Sequence, residues 1–333
     1  MYRQTCVLFP LIMFLGIAAP CHATITVKDH LDRDISTFRY DLILSPSGSG
    51  KWILTLLSAY QSGTNTFNIN ATNGESFEAI FNDVPGNATI VRVTGATNVD
   101  KIEVRGSTFC QLNRVEITGT LGSVLAGDIG LLLIEGDIIG PVVADVDPGA
   151  TGFGVNSAQS LNGNVLGDVL AVNGKIGSVL ASNGTIGTAS NPVRIESFTN
   201  IITLVGQKIY ADVDVRKNGG DGTLRRILTR EFHGSLNAKE ISSNFITPLY
   251  VSDIFDASVV IGGSFTSATQ RFMLGEGGIA GQIIFNADNS PTAVWDAPVH
   301  IIQPDPTDPL DETLETINDT LAPSYTNTAA APG

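Results

Sequence analysis

Charge is scarce in this sequence. Only 16% of its 333 residues are Asp, Glu, Lys or Arg, while 43% are hydrophobic. That balance excludes a coiled coil, which needs charged faces, and a disordered chain, which lacks apolar residues. Basic residues are scarcer still. Nineteen Lys and Arg stand against 33 Asp and Glu, a formal net charge of −14. General binding to nucleic acid is excluded on that count, because phosphate contact needs clustered Lys and Arg. Cysteine is nearly absent, with three in the chain. Two of them, Cys6 and Cys21, fall in the leader described next. Cys110 is then alone, so packing and not a disulfide framework must hold the fold. A catalytic thiol wants a nearby histidine and an electropositive setting. His30, His233 and His300 are far apart in sequence, and Cys110 reads as a small apolar strand residue. Glycine is what the chain has in quantity, 35 residues of it. With few charges and few helix formers beside it, this points to an all-β, turn-rich protein.

The segment 1–23 carries the pattern of an export signal. Arg3 gives a positive start and Val7 to Pro20 is an apolar run. Cys21-His22-Ala23 then sets small residues at the positions read for cleavage after Ala23. The run is short and broken by Pro10, which argues against a membrane span. Pro20 stands where a lipoprotein signal has a small residue, which argues against lipid attachment. The expectation is a protein secreted to the cell surface or the extracellular space, with no transmembrane segment once the signal is removed. At the far end, 304–333 is an acidic, Pro-rich tail without Lys or Arg. Asp308 suits a helix cap, Pro309 a first helical position, and Leu310, Leu314, Ile317 and Leu321 share one face. This predicts a short amphipathic helix over 309–321, laid across an open end of the core.

The middle of the chain repeats itself. Residues 168–177 read DVLAVNGKIG and residues 178–187 read SVLASNGTIG, identical at seven of ten positions. Looser copies are VEITGTLG at 115–122, SVLAGDIG at 123–130, LLLIEGDIIG at 131–140 and LNGNVLG at 161–167. In each unit Val169 and Ala171 alternate with Leu170 and Val172, as in a short strand. Asn173-Gly174 and Asn183-Gly184 supply residues tolerant of positive φ for a turn, and Ile176 and Ile186 point back inside. Gly177 and Gly187 allow a second bend. A sandwich or barrel would use these turns between antiparallel hairpin strands. Near-identity of consecutive units favours a solenoid instead, because hairpin partners need not resemble each other in phase.

The fold predicted is an all-β, right-handed parallel β-helix (β-solenoid). Residues 1–23 are the signal and 24–88 an N-terminal cap with irregular first coils. Residues 89–303 are the solenoid and 304–333 the tail. At about 20–25 residues and ~4.8 Å per coil the solenoid is a rod of roughly ten coils, about 45 Å long. The repeat units, the series KIYADVDV to FHGSLNA within 208–238, and GQIIFNADNS at 281–290 resemble the Gly-Xaa-Ile-Gly repeats of bacterial secreted β-helix proteins. The resemblance covers 89–300 and implies the architecture and an extracellular or surface setting. It implies no particular activity.

Chemistry is thin on this rod, and no catalytic residue is assigned. Asp145 with Asp147, and Asp212 with Asp214, stand two apart and share a strand face where the chain is extended. Such pairs are candidate oxygen ligands for a hard cation, calcium being the candidate cofactor; the plainer alternative is a solvated outer face. Between 215 and 230, Arg216, Lys217, Arg225, Arg226 and Arg230 face the single acid Asp221. Clustered Arg suits the carboxylates of an acidic glycan or surface partner, or ion pairs with neighbouring strands. The stretch 45–52 is similar to a phosphate loop, but Trp52 stands where the hydroxyl is required. The expected role is a non-enzymatic structural or adhesive protein with polysaccharide among its candidate partners. The alternative is a polysaccharide lyase or glycoside hydrolase with a divergent site, marked by two close carboxylates beside an Arg or Lys.

Overall fold

The computed structural model describes residues 98–105, 111–145, 153–215, 222–241 and 247–262 continuously, with further strand segments on either side between 42 and 327. The export signal, Cys110 and the 309–321 segment lie outside the described residues.

The chain is a parallel β-solenoid of about seven turns through its continuous part, and no helix occurs among the described residues. Each coil has three walls, set by which inward side chains stack from coil to coil. Along the first wall Ile102, Val124, Val142, Val169, Ile195 and Val213 follow one another in parallel register. Val115, Leu132, Ala158, Val179 and Leu204 do the same on the second. The third wall is short, with Leu121, Ile138, Val165 and Ile186 joined by single bridges and then Ile209, Phe232 and Phe255 in longer strands. All of these are buried in one continuous apolar core. A short strand cannot bury one face by itself. Stacked in register, each inward residue lies on its counterparts above and below, which is what stabilises a solenoid.

The two near-identical decapeptides do not stack on each other. In DVLAVNGKIG, Val169 and Ala171 belong to the first wall and Ile176 opens the second, whereas in SVLASNGTIG, Val179 and Ala181 belong to the second and Ile186 to the third. One sequence logic therefore turns two different corners of the same coil. The coil itself is longer than the decapeptide and far less regular. Leu112 stacks on Ile129, a short step along the chain, while Val142 stacks on Val169, a much longer one. Most of the variation is taken up at one edge. The connections 83–88, 106–110, 146–152, 216–221, 263–271 and 286–298 all join a first-wall strand to a second-wall strand.

The glycines act differently from the turn reading of the sequence. Among the described glycines only Gly187 (φ 70°) and Gly234 (φ 115°) are left-handed, so Gly174 and Gly184 do not turn the chain that way. Their neighbours serve close approach. A Cβ on Gly140 would collide with the carbonyl oxygen of Gly122 one coil away, and one on Gly167 with that of Gly140. This column at the edge between the third and first walls lets successive corners touch backbone to backbone. From the next coil onward Val193, Ala211, Gly234 and Ala257 hold the same place.

The stack extends beyond the most repetitive part. Lys51–Leu56 pairs in parallel with Ser76–Asn82, and Asn65–Asn70 with Thr89–Thr94, so coils already exist within 24–88. Among the named strands the one antiparallel pairing is the hairpin of Leu42–Ser47 with Lys51–Leu56.

Candidate functional site

On the outside of the first wall, Asp212 and Asp214 point the same way from one strand, as their i, i+2 spacing predicts. Neither stands by itself. The Ser235 hydroxyl donates to Asp212 Oδ1 at 2.8 Å, and Asn237 Nδ2 donates to Asp214 Oδ1 at 3.2 Å, both from the next coil. One coil in the other direction, Arg194 and Glu196 occupy the equivalent positions. The Arg194 guanidinium donates to Asp168 Oδ2 from Nε at 2.9 Å and from Nη2 at 2.6 Å, and its Nη1 lies 3.9 Å from Glu196. Asp168, chiefly through those hydrogen bonds, raises the Arg194 pKa above its already high ordinary value. Four carboxylates and one guanidinium thus share three coils of this wall. Asp145 is exposed at the wall's far edge, and Asp147 lies outside the described residues. Among the described residues no group of three or more His, Cys, Asp or Glu is arranged to hold a metal ion.

The arginine series is divided by the fold. Arg225 and Arg226 sit where the second wall begins, and Arg230 sits at its other edge, past the inward Ile227 and Thr229. Arg225 and Arg230 are exposed, and Arg230 lies 3.7 Å from Asp253 in the next coil. Arg216 and Lys217 lie outside the described residues. In place of one patch, the described part of the series brackets a wall whose outward side chains form straight columns. Ser157, Ser178, Thr203 and Arg226 make one column. Leu133, Gln159, Leu180, Val205 and Leu228 make the next. The Ser157 and Ser178 hydroxyls are 2.7 Å apart, and Gln159 Nε2 donates to Ser157 at 3.0 Å.

A cleft of about 240 Å³ opens at the N-terminal end of these columns. Val93, Ile117, Leu133 and Leu161 give it an apolar floor, with Arg92, Glu116 and Glu135 around it. Arg92 Nε donates to Glu116 at 2.7 Å, and Arg114 Nε donates to the other carboxylate oxygen. Partial burial works against the charge on Glu116, but the two guanidinium groups outweigh it and hold the carboxyl below its ordinary value.

The third wall carries a cluster that the sequence did not bring out. Tyr210 and His233, one coil apart, stack with ring centroids 4.6 Å apart and planes within 7°. His233 Nδ1 lies 3.4 Å from Asp256 in the following coil, and Nε2 lies 3.4 Å from Glu231. Lys208 Nζ in turn lies 2.8 Å from Glu231. Partial burial opposes the charge on Glu231, yet Lys208 and His233 keep its carboxyl below the usual range. Aligning 208–214 with 231–237 would have set Lys208 over Glu231 and Tyr210 over His233. In the earlier coils the corresponding edge holds one carboxylate followed by amide and hydroxyl groups. Asn164 donates from its backbone N–H to Asp137 Oδ1 at 2.6 Å, and its own Oδ1 accepts from the Thr185 N–H at 2.8 Å and hydroxyl at 3.2 Å.

Comparison with protein-family models, with curated proteins and with solved structures gives no match at the threshold applied. The architecture is therefore established by the fold itself, a parallel β-solenoid.

Proposed function

We propose that this chain is an exported, non-enzymatic structural or adhesive β-solenoid of the cell surface or extracellular matrix, one that holds polysaccharide through many weak contacts. The observation that carries this reading is repetition on the outside of the rod. Outward residues of the second wall recur at every coil as straight columns, from Leu133 through Val205 to Leu228. A polymer with its own repeat can touch such a column at many places, and avidity then replaces a single deep site. The resemblance of the repeats to bacterial secreted β-helix proteins and the export-signal pattern support the setting. The test is incubation of the protein with acidic and neutral polysaccharides, with and without calcium, reading both polymer retention and polymer length. Retention without shortening is the expected result. Failure to retain any polymer would remove the reading. Calcium enters through Asp212 and Asp214, and retention that disappears with a chelator is the outcome expected if the cation bridges that pair to the polymer.

One observation favours a second reading, a lyase or hydrolase. Asp168, Glu196, Asp212 and Asp214 around Arg194 supply close carboxylates beside a guanidinium, the groups needed to move protons at a glycosidic linkage. Shortening of any polymer by the wild-type protein, lost in Asp212→Asn, would establish it over the first.

A further inference from the structure

We infer that the outer face of the second wall is an axial track for one extended acidic polysaccharide chain, entered at the Arg92–Glu116 cleft and leaving past Arg225 and Arg226. The inference rests on the polymer-binding reading and names its site and ligand class.

Charge is the first argument. The chain is strongly acidic, and the outward first wall shows it in Asp168, Glu196, Asp212 and Asp214. The outward positions of the second wall between Leu131 and Leu228 carry no carboxylate. An anionic chain is repelled along the first wall, whereas along the second the carboxylates stand at the entry, Glu116 held by Arg92 and Arg114 and Glu135 beside it, and none follows in the two columns beyond.

Chemistry along the track is the second. One column offers hydroxyls at Ser178 and Thr203, with the buried Ser157 hydroxyl bonded to Ser178 behind them, and the column beside it offers Gln159, Leu180 and Val205. A sugar ring has both needs, hydrogen-bond partners at its rim and apolar contact for its C–H faces, and paired polar and aliphatic columns meet them at each coil. Cations stand at the ends. Arg92, with a side chain 40% exposed, opens the cleft at one end, and exposed Arg225 stands at the other. Guanidinium groups recognise carboxylates bidentately.

Size is the third. From Glu116 to Leu228 the outward column takes five coil-to-coil steps, about 24 Å at the spacing of neighbouring strands. That length holds several sugar residues of an extended chain, and the cleft of about 240 Å³ holds no more than a single ring of it.

The experiment is affinity electrophoresis of the full chain in gels containing polygalacturonate, with amylose as the neutral comparison. Wild type is expected to be retarded by polygalacturonate and, as salt rises, progressively released. Ser178→Asp combined with Thr203→Asp puts anions on the track and should weaken retention about tenfold or more, an effect of at least ~1.4 kcal/mol. Leu180→Lys should tighten it by roughly threefold, a gain that misfolding cannot mimic. Ile139→Asp adds a charge of the same sign away from the second wall and should change nothing. If wild type is retained but Leu180→Lys and the double variant bind as it does, the track is wrong and polymer binding stands. If wild type is retained by neither polymer, both fall. Retention by amylose alone would overturn the acidic ligand class.

Discussion

The coils between 119 and 187 and those between 200 and 261 share one inward pattern and differ in how they turn. In the earlier coils short strands, such as Val142–Ala144 and Val169–Ala171, end at corners where a side chain is missing, and Gly122, Gly140 and Gly167 let backbone meet backbone. In the later coils single strands of 13 to 16 residues run round two corners: Asn200–Asp214, Thr223–Ala238 and Leu249–Ile261. There the core of the third wall changes from Ile138, Val165 and Ile186 to Phe232 and Phe255, whose rings lie 6.4 Å apart. The later coils carry these larger residues inside the wall, and on its outside they carry the Lys208, Tyr210, Glu231 and His233 cluster. One fold thus lines its corners in two ways, with glycines alone in the earlier coils and, in the later ones, with a paired side-chain ladder beside the single Gly234.

The contrast is breakable at several points. Phe232→Ala should be the most damaging, costing about 3–5 kcal/mol in urea unfolding, whereas Ile138→Val on the same wall of the earlier coils should cost only about 0.5–1.5 kcal/mol. Equal losses would mean that the two cores are packed alike. Next comes the corner column. Gly140→Ala forces a methyl against the Gly122 carbonyl and should cost about 1–3 kcal/mol. Ala211→Gly, at the equivalent corner of the later coils, should cost no more than about 0.5–1 kcal/mol. A tolerated alanine at 140 would show that the corner relaxes. Asn164→Leu removes the acceptor for two Thr185 donors, and the midpoint should fall by an amount equivalent to about 1 kcal/mol.

The smallest effect expected is that of pH, and it separates the regions by size. Glu231 has its carboxyl lowered in the folded protein, so the stability it contributes is fully present above its ordinary value of 4.5 and is lost as pH falls through the lowered one. Lys208 is raised by Glu231, so its contribution is present below its ordinary 10.5 and is lost as pH rises beyond it. Amide protection, measured against the intrinsic exchange rate at each pH, should accordingly fall at acid pH across 200–261 more than across 119–187, where the ladder at the corresponding edge is built on amide and hydroxyl groups around Asp137. A uniform loss of protection would deny the ion-pair ladder any part in holding the later coils.

Much of this architecture could be read from residues alone, and the reasons for the gaps are physical. Ile176 and Ile186 are buried as expected, and of the two alternating sets the one that faces inward is Val169 and Ala171, with Val179 in the next unit. Which corner each decapeptide turns was hidden, because the same Gly-Xaa-Ile-Gly residues serve two edges of the coil and only stacking partners tell them apart. The expected coil length is an average over unequal coils, the short step from Leu112 to Ile129 and the long one from Val142 to Val169, and the extra length goes chiefly into one edge. For the candidate residues, spacing correctly put Asp212 and Asp214 side by side. It grouped Arg225, Arg226 and Arg230 only because they are near in sequence, while the wall between them separates their charges. The Tyr210–His233 stack escaped notice because its members stand a full coil apart.

Parallel stacking also has a mechanical consequence. The backbone hydrogen bonds between coils run along the rod axis, so a pull on its two ends loads them one coil at a time, and the rod peels open from whichever end is weaker. A pull applied sideways, spread along a wall, is shared by every coil at once. A molecule built in this way withstands tearing along its flank and yields at its tips, which suits it to being gripped lengthwise.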